Sequence, residues 1–295
     1  GELLRVQRGA PSHGSGVSME TTDAAACCAA FYEQDWVRAL MGDHFHPGGE
    51  ALTRRLVDDL ALQPGDRVLD LACGTGTTAL LLGAGWDVEV IGLDASASNV
   101  ARATVRAADL GSVAFVEGRA HAVPLADAQF DAVLVECAVS TFADKPAVAN
   151  EIVRVLKPGG RLAISDMAVY GALPDDLAAF GQGWACVDDA LTMEGYRDLF
   201  VSAGLRVEVE EDESASLDAM VLELKKKLLL AGLGDASGLF EGLQTDLPTL
   251  RALLAKAKEV VKAGRVRYGR LAFVRGTPRA PGPSARACDP STGCC

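Results

Sequence analysis

The run Val68-Leu69-Asp70-Leu71-Ala72-Cys73-Gly74-Thr75-Gly76 constrains this chain more than any other. An apolar stretch carries an acid near its end, breaks at glycines and passes into a helical pattern from Thr77 to Leu82. Glycines in such a turn reach backbone conformations closed to other residues and let a ligand lie against the main chain. The helix behind the turn offers unpaired N–H groups in its first turn. A second apolar stretch, Val88-Glu89-Val90-Ile91-Gly92-Leu93-Asp94, ends in another acid. At the carboxyl end of its strand that acid is placed to hold ribose hydroxyls. Together they predict a site for an adenosine-containing cofactor.

The charge pattern selects among such cofactors. Gly74, Gly76 and Ala79 also fit the G-x-G-x-x-A fingerprint of a dinucleotide site. A pyrophosphate on that helix start would be repelled by the carboxylate of Asp70. S-adenosylmethionine instead carries an ammonium and a sulfonium, which a carboxylate attracts. The motif therefore favours S-adenosylmethionine over NAD.

Composition narrows the class. The chain has 295 residues, 49% hydrophobic and 5% aromatic, with a formal net charge of −12. That length can bury a sizeable core in one large domain or one domain with an insertion. The acidic balance argues against a nucleic-acid partner. No apolar run reaches the ~18 residues needed to span a bilayer, so no membrane partner is expected. Residues 1–19 mix Gly, Ser, Arg and His without an apolar core and read as a disordered start rather than a secretory leader. A cytoplasmic protein, monomer or homodimer, is expected. Its cysteines, Cys27, Cys28, Cys73, Cys137, Cys186, Cys288, Cys294 and Cys295, then read as free thiols.

Periodicity sets the organisation. Residues 20–62 read as N-terminal helices, with Phe31, Tyr32, Trp36 and Leu40 at helical spacing over 24–40 and a second helix over 50–60. A loop, Gly42 to Gly49, separates them. Strands are predicted at 67–72, 87–93, 113–117, 131–136 and 160–165, and helices at 76–83, 96–109 and 145–156. This alternation predicts an α/β fold, a doubly wound parallel sheet with ligands at the strands' carboxyl ends. The turn Lys157-Pro158-Gly159-Gly160 is placed just before the fifth strand. A helix over 192–203 and a sixth strand over 205–211 follow. A seventh strand over 267–275 pairs with the sixth across a helical insertion at 216–263, too long for a hairpin loop. One domain thus spans 20–275, and the Pro- and Cys-containing tail, 276–295, reads as disordered.

This order of pieces resembles the class I S-adenosylmethionine-dependent methyltransferases over residues 30–210. Asp70 to Gly76 looks like that family's first motif, and Asp94, followed by Ala95, looks like its ribose-gripping acid. Val113 to Leu125, ending Val123-Pro124-Leu125, resembles the segment covering the adenine. Phe130 to Glu136 resembles the fourth strand, and Val155-Leu156-Lys157-Pro158-Gly159-Gly160-Arg161-Leu162 the motif ahead of the fifth. The resemblance implies a Rossmann-like sheet, mostly parallel with its last strand antiparallel. It implies cofactor contacts from Asp70, Ala72, Gly74, Thr75, Gly76, Asp94, Ala95 and Glu136. One departure stands out. Many members have Gly-Asp-Ala where this chain has Gly118-Arg119-Ala120, so the adenine contact falls to Arg119, Ala120, His121 or backbone N–H groups.

The segment Trp184 to Tyr196, with Cys186 just ahead of Ala190-Leu191-Thr192, is similar to the arsenite methyltransferases, as are the cysteine-rich ends. Those enzymes also carry a thiol soon after the glycine loop, where this chain has Thr77-Thr78, and a late cysteine domain, whereas here no cysteine falls between 187 and 287. The resemblance implies Cys186 as a catalytic thiolate holding a metalloid substrate; Cys137, following strand four at the end that faces the cofactor, is placed to converge with it, with a third thiolate from Cys27, Cys28 or the tail. Thiolates suit soft ions, and an As(III) lone pair attacks a sulfonium methyl without a base. Read as residues alone, Cys137 and Cys186 are equally buried packing groups. Cys73 reads as a small side chain inside the turn. A small organic acceptor at O, N or C would instead need a base from Glu136, Asp166 or His46. His44 and His46 lack the spacing of a zinc site. Gly48 and Gly49, in the Gly-Gly turn, and Tyr32 are placed to touch the methionine end of the cofactor.

Overall fold

The computed structural model describes residues 46–175, 177, 187, 189–231 and 247–276. The helix expected over 24–40, both termini, and the positions of Tyr32, His44, Cys186 and the other terminal cysteines lie outside the described residues.

The elements run α1 (Gly49–Leu60), β1 (Arg67–Leu71), α2 (Thr77–Gly85), β2 (Glu89–Asp94), α3 (Ala97–Arg106), β3 (Val113–Glu117) and β4 (Phe130–Glu136). They continue with a 3-10 turn (Val139–Thr141), α4 (Lys145–Val155), β5 (Leu156–Val169), α5 (Met193–Ser202), β6 (Leu205–Asp212), α6 (Ser214–Ala231), α7 (Leu247–Lys262) and β7 (Val266–Arg275). Helix starts follow local chemistry. Ser96, Asp144 and Thr192 each cap a helix by accepting an N–H three residues on.

The seven strands form one sheet in the order β3-β2-β1-β4-β5-β7-β6. β1 to β5 pair in parallel, while β7 runs antiparallel to both β5 and β6. This is the mostly parallel, doubly wound sheet the alternation predicts, with its last strand reversed. The strand order turns back between β1 and β4, which opens a crevice at their carboxyl ends.

Strand residues alternate between two cores. Leu69, Leu71, Val133, Val135, Leu162 and Ile164 pack on the face covered by α4 and α5. Phe200 of α5 meets Phe273 of β7 there, ring centroids 5.2 Å apart. On the other face Val68, Leu134 and Ala163 meet Leu52 and Leu56 of α1 and Leu82 of α2. Each fully buried leucine contributes about 1.5–3 kcal/mol. No helix joins β3 to β4. Ala120 and Val123 of the connecting loop pack into the first core in its place.

One expectation changes in detail. Lys157-Pro158-Gly159-Gly160 lies within the bounds of β5 as an irregularity, not ahead of the strand. Phe130 pairs with Leu156, and Ala132 then pairs with Arg161. Gly159 takes φ 83°, which a side chain would disfavour. The insertion is helical on both sides of residues 232–246, which lie outside the described residues. It joins the core: Leu217 and Val221 of α6 and Val260 and Val261 of α7 pack in the second cluster. Gly48, at φ 83°, lets the chain pass, since a Cβ there would stand 2.7 Å from the Cβ of Leu52 and 3.1 Å from the hydroxyl of Ser216.

Candidate active site

Two acids straddle the switch point on the face covered by α1 and α2. Asp70 comes from β1 and Glu136 ends β4, and both are buried. One oxygen of Asp70, Oδ2, is buried without a hydrogen-bond partner among the described residues. Burial, and then the neighbouring Glu136 carboxylate, push Asp70 well above the usual carboxylate range; the Ala79 N–H offsets part of this. A buried acid with one unpaired oxygen is costly, and a cationic ligand would relieve it.

Glu136 is fully engaged. Its Oε1 accepts the Thr53 hydroxyl of α1 at 2.8 Å, and Oε2 accepts the Thr78 hydroxyl of α2 at 2.6 Å. The His46 ring stands 3.4 Å from Oε1, and its other nitrogen lies 3.1 Å from the Pro47 carbonyl. Thr53, Thr78 and the role of His46 beside Glu136 are invisible in the sequence, because partners 83 and 58 positions apart leave no local signal.

Asp94 sits at the end of β2 beside the glycine turn, as its spacing predicts. Its Oδ2 accepts the Gly74 N–H at 2.9 Å, and Oδ1 accepts the Ser96 N–H at 2.9 Å and the Asn99 amide at 3.3 Å. In the structure, therefore, this carboxylate ties the turn to β2. Ala95, next to it, is exposed. Ala72, at φ 63°, holds a left-handed conformation that costs a non-glycine residue about 1–3 kcal/mol and clusters at functional sites.

The two glycines of the turn differ. A Cβ on Gly74 would meet nothing within 4 Å, whereas one on Gly76 would stand 2.5 Å from the Phe115 ring of β3. Gly74 thus leaves open space at the turn, and Gly76 makes room for core packing. Cys73 packs inside the turn, and burial, with Asp70 and Asp94 nearby, pushes its thiol up. Arg106 of α3 braces the outside, donating to the Thr75 carbonyl at 2.8 Å and to the Thr75 and Thr77 hydroxyls. No pattern in the sequence marks Arg106.

In the loop between β3 and β4, expected to border the adenine, Ala120 is buried while Arg119 and His121 are exposed. Gly118 N–H donates to the Asp94 carbonyl at 3.0 Å, joining this loop to β2. The loop is fastened from α4. Arg154 donates to the Val123 and Leu125 carbonyls, each at 2.9 Å, and Glu151 accepts the Val123 N–H at 2.7 Å.

Cys137 follows Glu136 and leaves the strand at φ 51°. Its N–H still donates to the Ser165 carbonyl of β5 at 2.7 Å. The side chain is half-buried and packs against the second core. Tyr268 of β7 is fully buried, donates to the Ser165 hydroxyl at 3.0 Å, and has its phenol pushed up by burial and then by Cys137. Cys186 lies outside the described residues; Val187, after it, packs against the same cluster as Cys137. Among the described residues no group of three His, Cys, Asp or Glu side chains could hold a metal ion. No helix among them is long and apolar enough to cross a membrane.

A mostly parallel sheet with a glycine turn and paired acids at its switch point fits a positively charged nucleoside cofactor, the kind that methyltransferases use. Comparison with known proteins agrees. Residues 62–204 match the family described as methyltransferase domain. The 27-O-demethylrifamycin SV methyltransferase of Amycolatopsis mediterranei is 34% identical over 202 residues, covering 61% of this chain and 73% of that one. An arsenite methyltransferase of Halobacterium salinarum is 34% identical over 161 residues, covering 52% of this chain and 41% of that one. Among solved structures, a phosphoethanolamine N-methyltransferase of Haemonchus contortus in complex with S-adenosyl-L-methionine shares the fold with a TM-score of 0.72 at 17% identity, over 87% of this chain and 61% of that one. The chain belongs to the class I S-adenosylmethionine-dependent methyltransferases, and S-adenosylmethionine is its cofactor.

Proposed function

We propose that this methyltransferase transfers the methyl group to a thiol-bound metalloid, arsenite being the model, with Cys137 and Cys186 as soft ligands. The bound cofactor supplies an electrophilic methyl on a sulfonium. The residues present fit it. The orphaned Oδ2 of Asp70 suits its ammonium, and the open space at Gly74 suits close approach to the backbone turn. Asp70, Ala72, Gly74, Thr75, Gly76 and Glu136 would hold its methionine end, together with Gly48, Gly49 and Tyr32. Asp94 and Ala95 would hold the ribose, and Arg119 and Ala120 would border the adenine.

One observation supports the choice of acceptor: the two acids named as bases are already committed, while the third group named, His46, is held 3.4 Å from Glu136 Oε1 and would serve the organic-acceptor reading. Glu136 accepts two threonine hydroxyls, and the fully buried Asp166 accepts two backbone N–H groups. An acceptor that needs no deprotonation suits such a site, and a thiol at position 137 suits a soft acceptor. The arsenite methyltransferase among the relatives supports the same reading. The rifamycin-modifying relative favours a second one, an organic hydroxyl as acceptor.

A turnover screen with labelled S-adenosylmethionine separates them, comparing arsenite plus thiol with a panel of organic acceptors. Methylated arsenic from the wild type, lost by more than about tenfold in Cys137→Ser and in Cys186→Ser with cofactor binding intact, is the expected result. Full arsenite methylation by the double serine variant would end the metalloid reading. Turnover of an organic acceptor alone would establish the second.

A further inference from the structure

Past the end of β4 the chain leaves the sheet, and the segment 137–144 is fastened back at several points. The Cys137 N–H holds the Ser165 carbonyl at 2.7 Å. The Ser140 N–H donates to Asp166 Oδ2 at 3.0 Å, while Oδ1 of the same carboxylate accepts the Met167 N–H at 2.7 Å. Lys145, at the start of α4 and 9% exposed, donates from Nζ to the Phe142 carbonyl at 2.9 Å. Asp166 is 1% exposed.

Neither buried charge is accounted for by the cofactor site. Asp166 faces the α4 and α5 side of the sheet, in step with Leu162 and Ile164, whereas Glu136 and Asp70 face the other. Burial lowers Lys145, and the nearby carboxylates of Asp189 and Asp166 oppose that shift. Burying a lysine and an aspartate needs compensation. Here part of it comes from main-chain groups of the loop that bears Cys137, the Ser140 N–H for Asp166 and the Phe142 carbonyl for Lys145.

We propose that Asp166 and Lys145 are positioning residues for methyl transfer, which fix the loop presenting Cys137 at the switch point. Asp166 sets the backbone three residues beyond Cys137, and Lys145 sets it five residues beyond. Neither touches the reacting atoms. Their effect is on how often the loop stands in the geometry that transfer needs, where a misplacement of about 1 Å can cost ~100-fold in rate. The proposal rests on the reading that Cys137 borders the acceptor.

Two readouts test it on the full-length protein. Asp166→Asn keeps the shape but presents an amide N–H to one of the two main-chain donors. Lys145→Met keeps the length and leaves the Phe142 carbonyl unpaired. Each should lower kcat by about tenfold with the acceptor found active in the screen, while the cofactor Kd stays within about twofold. Each should also change the rate of Cys137 alkylation by iodoacetamide by about threefold or more, followed by peptide mass spectrometry. A purely structural role would lower the melting temperature and leave folded enzyme with wild-type kcat. Wild-type kcat and Cys137 alkylation in folded Lys145→Met would overturn the proposal, even if Asp166→Asn failed to fold. The alkylation readout does not depend on the acceptor. Active Cys137→Ser would therefore sink the metalloid reading while altered alkylation still upheld the fastening.

Discussion

The two sides of the switch point are built differently. On the β1–β2 side the site is made of main chain: Asp94 grips the Gly74 and Ser96 N–H groups, and the turn closes over one short stretch of sequence. On the β4–β5 side it is made of side chains drawn from distant elements. Thr53, Thr78 and His46 converge on Glu136, and Asp166 and Lys145 fasten the loop beyond Cys137. The first construction is a backbone shape set by one stretch of chain. The second can be altered one residue at a time.

The sharpest way to break this contrast lies within the turn. Gly76→Val should collide with Phe115 and cost the fold, seen as a melting temperature lower by about 4–8 °C or more. Gly74→Val meets no protein atom at its Cβ and should cost only the strain of a left-handed residue, about 1–3 kcal/mol, while abolishing cofactor binding by calorimetry. Equal losses of stability in the two variants would show that Gly74 also packs against the protein.

Asp70 gives the next largest effect, and its sign is set by burial. A carboxyl whose folded pKa is raised stabilises the fold fully only below its unfolded value, about 4, and that contribution is lost as pH rises through the folded value. Asp70 is raised well above the usual range, and Asp166 to about 6. Asp70→Asn should therefore stabilise the cofactor-free protein, by an amount that grows from pH 5 to pH 8 in urea melts. It should also weaken S-adenosylmethionine by about tenfold or more, because the charge opposite the ammonium is gone. A variant both less stable and unchanged in affinity would contradict the site.

Both constructions bear on what the sequence could disclose. β3 over Val113–Glu117, the glycine turn and the acid ending β2 were legible, because each is set by residues adjacent in the chain. The bulge at Lys157 to Gly160 was not, since a Pro-Gly-Gly run reads as a turn until a partner strand shows where pairing resumes. Asp94 was legible as the acid ending β2 but not as the tie for the turn. Of the Glu136 network only Glu136 and His46 stood out. Thr53 and Thr78 are ordinary helix residues until the fold brings them to one carboxylate.

Arg154 should show the smallest effect. It holds two carbonyls of the loop between β3 and β4, proposed to border the adenine, from a partly exposed position shared with Glu151 and Asp127. Arg154→Met should cost about 1–3 kcal/mol of stability and weaken the cofactor by a few-fold, without altering which acceptor is used. A changed acceptor preference would mean that this loop also serves the acceptor side.

The metalloid reading is tested most directly by the product itself. Wild-type protein is incubated with methyl-labelled S-adenosylmethionine, arsenite and glutathione, and arsenic species are resolved by mass spectrometry beside Cys137→Ser. Labelled methylarsenic from the wild type, reduced by more than about tenfold in the variant at equal cofactor occupancy, is the predicted result. Equal labelled product from both proteins, or none from the wild type alongside turnover of an organic hydroxyl, would contradict it.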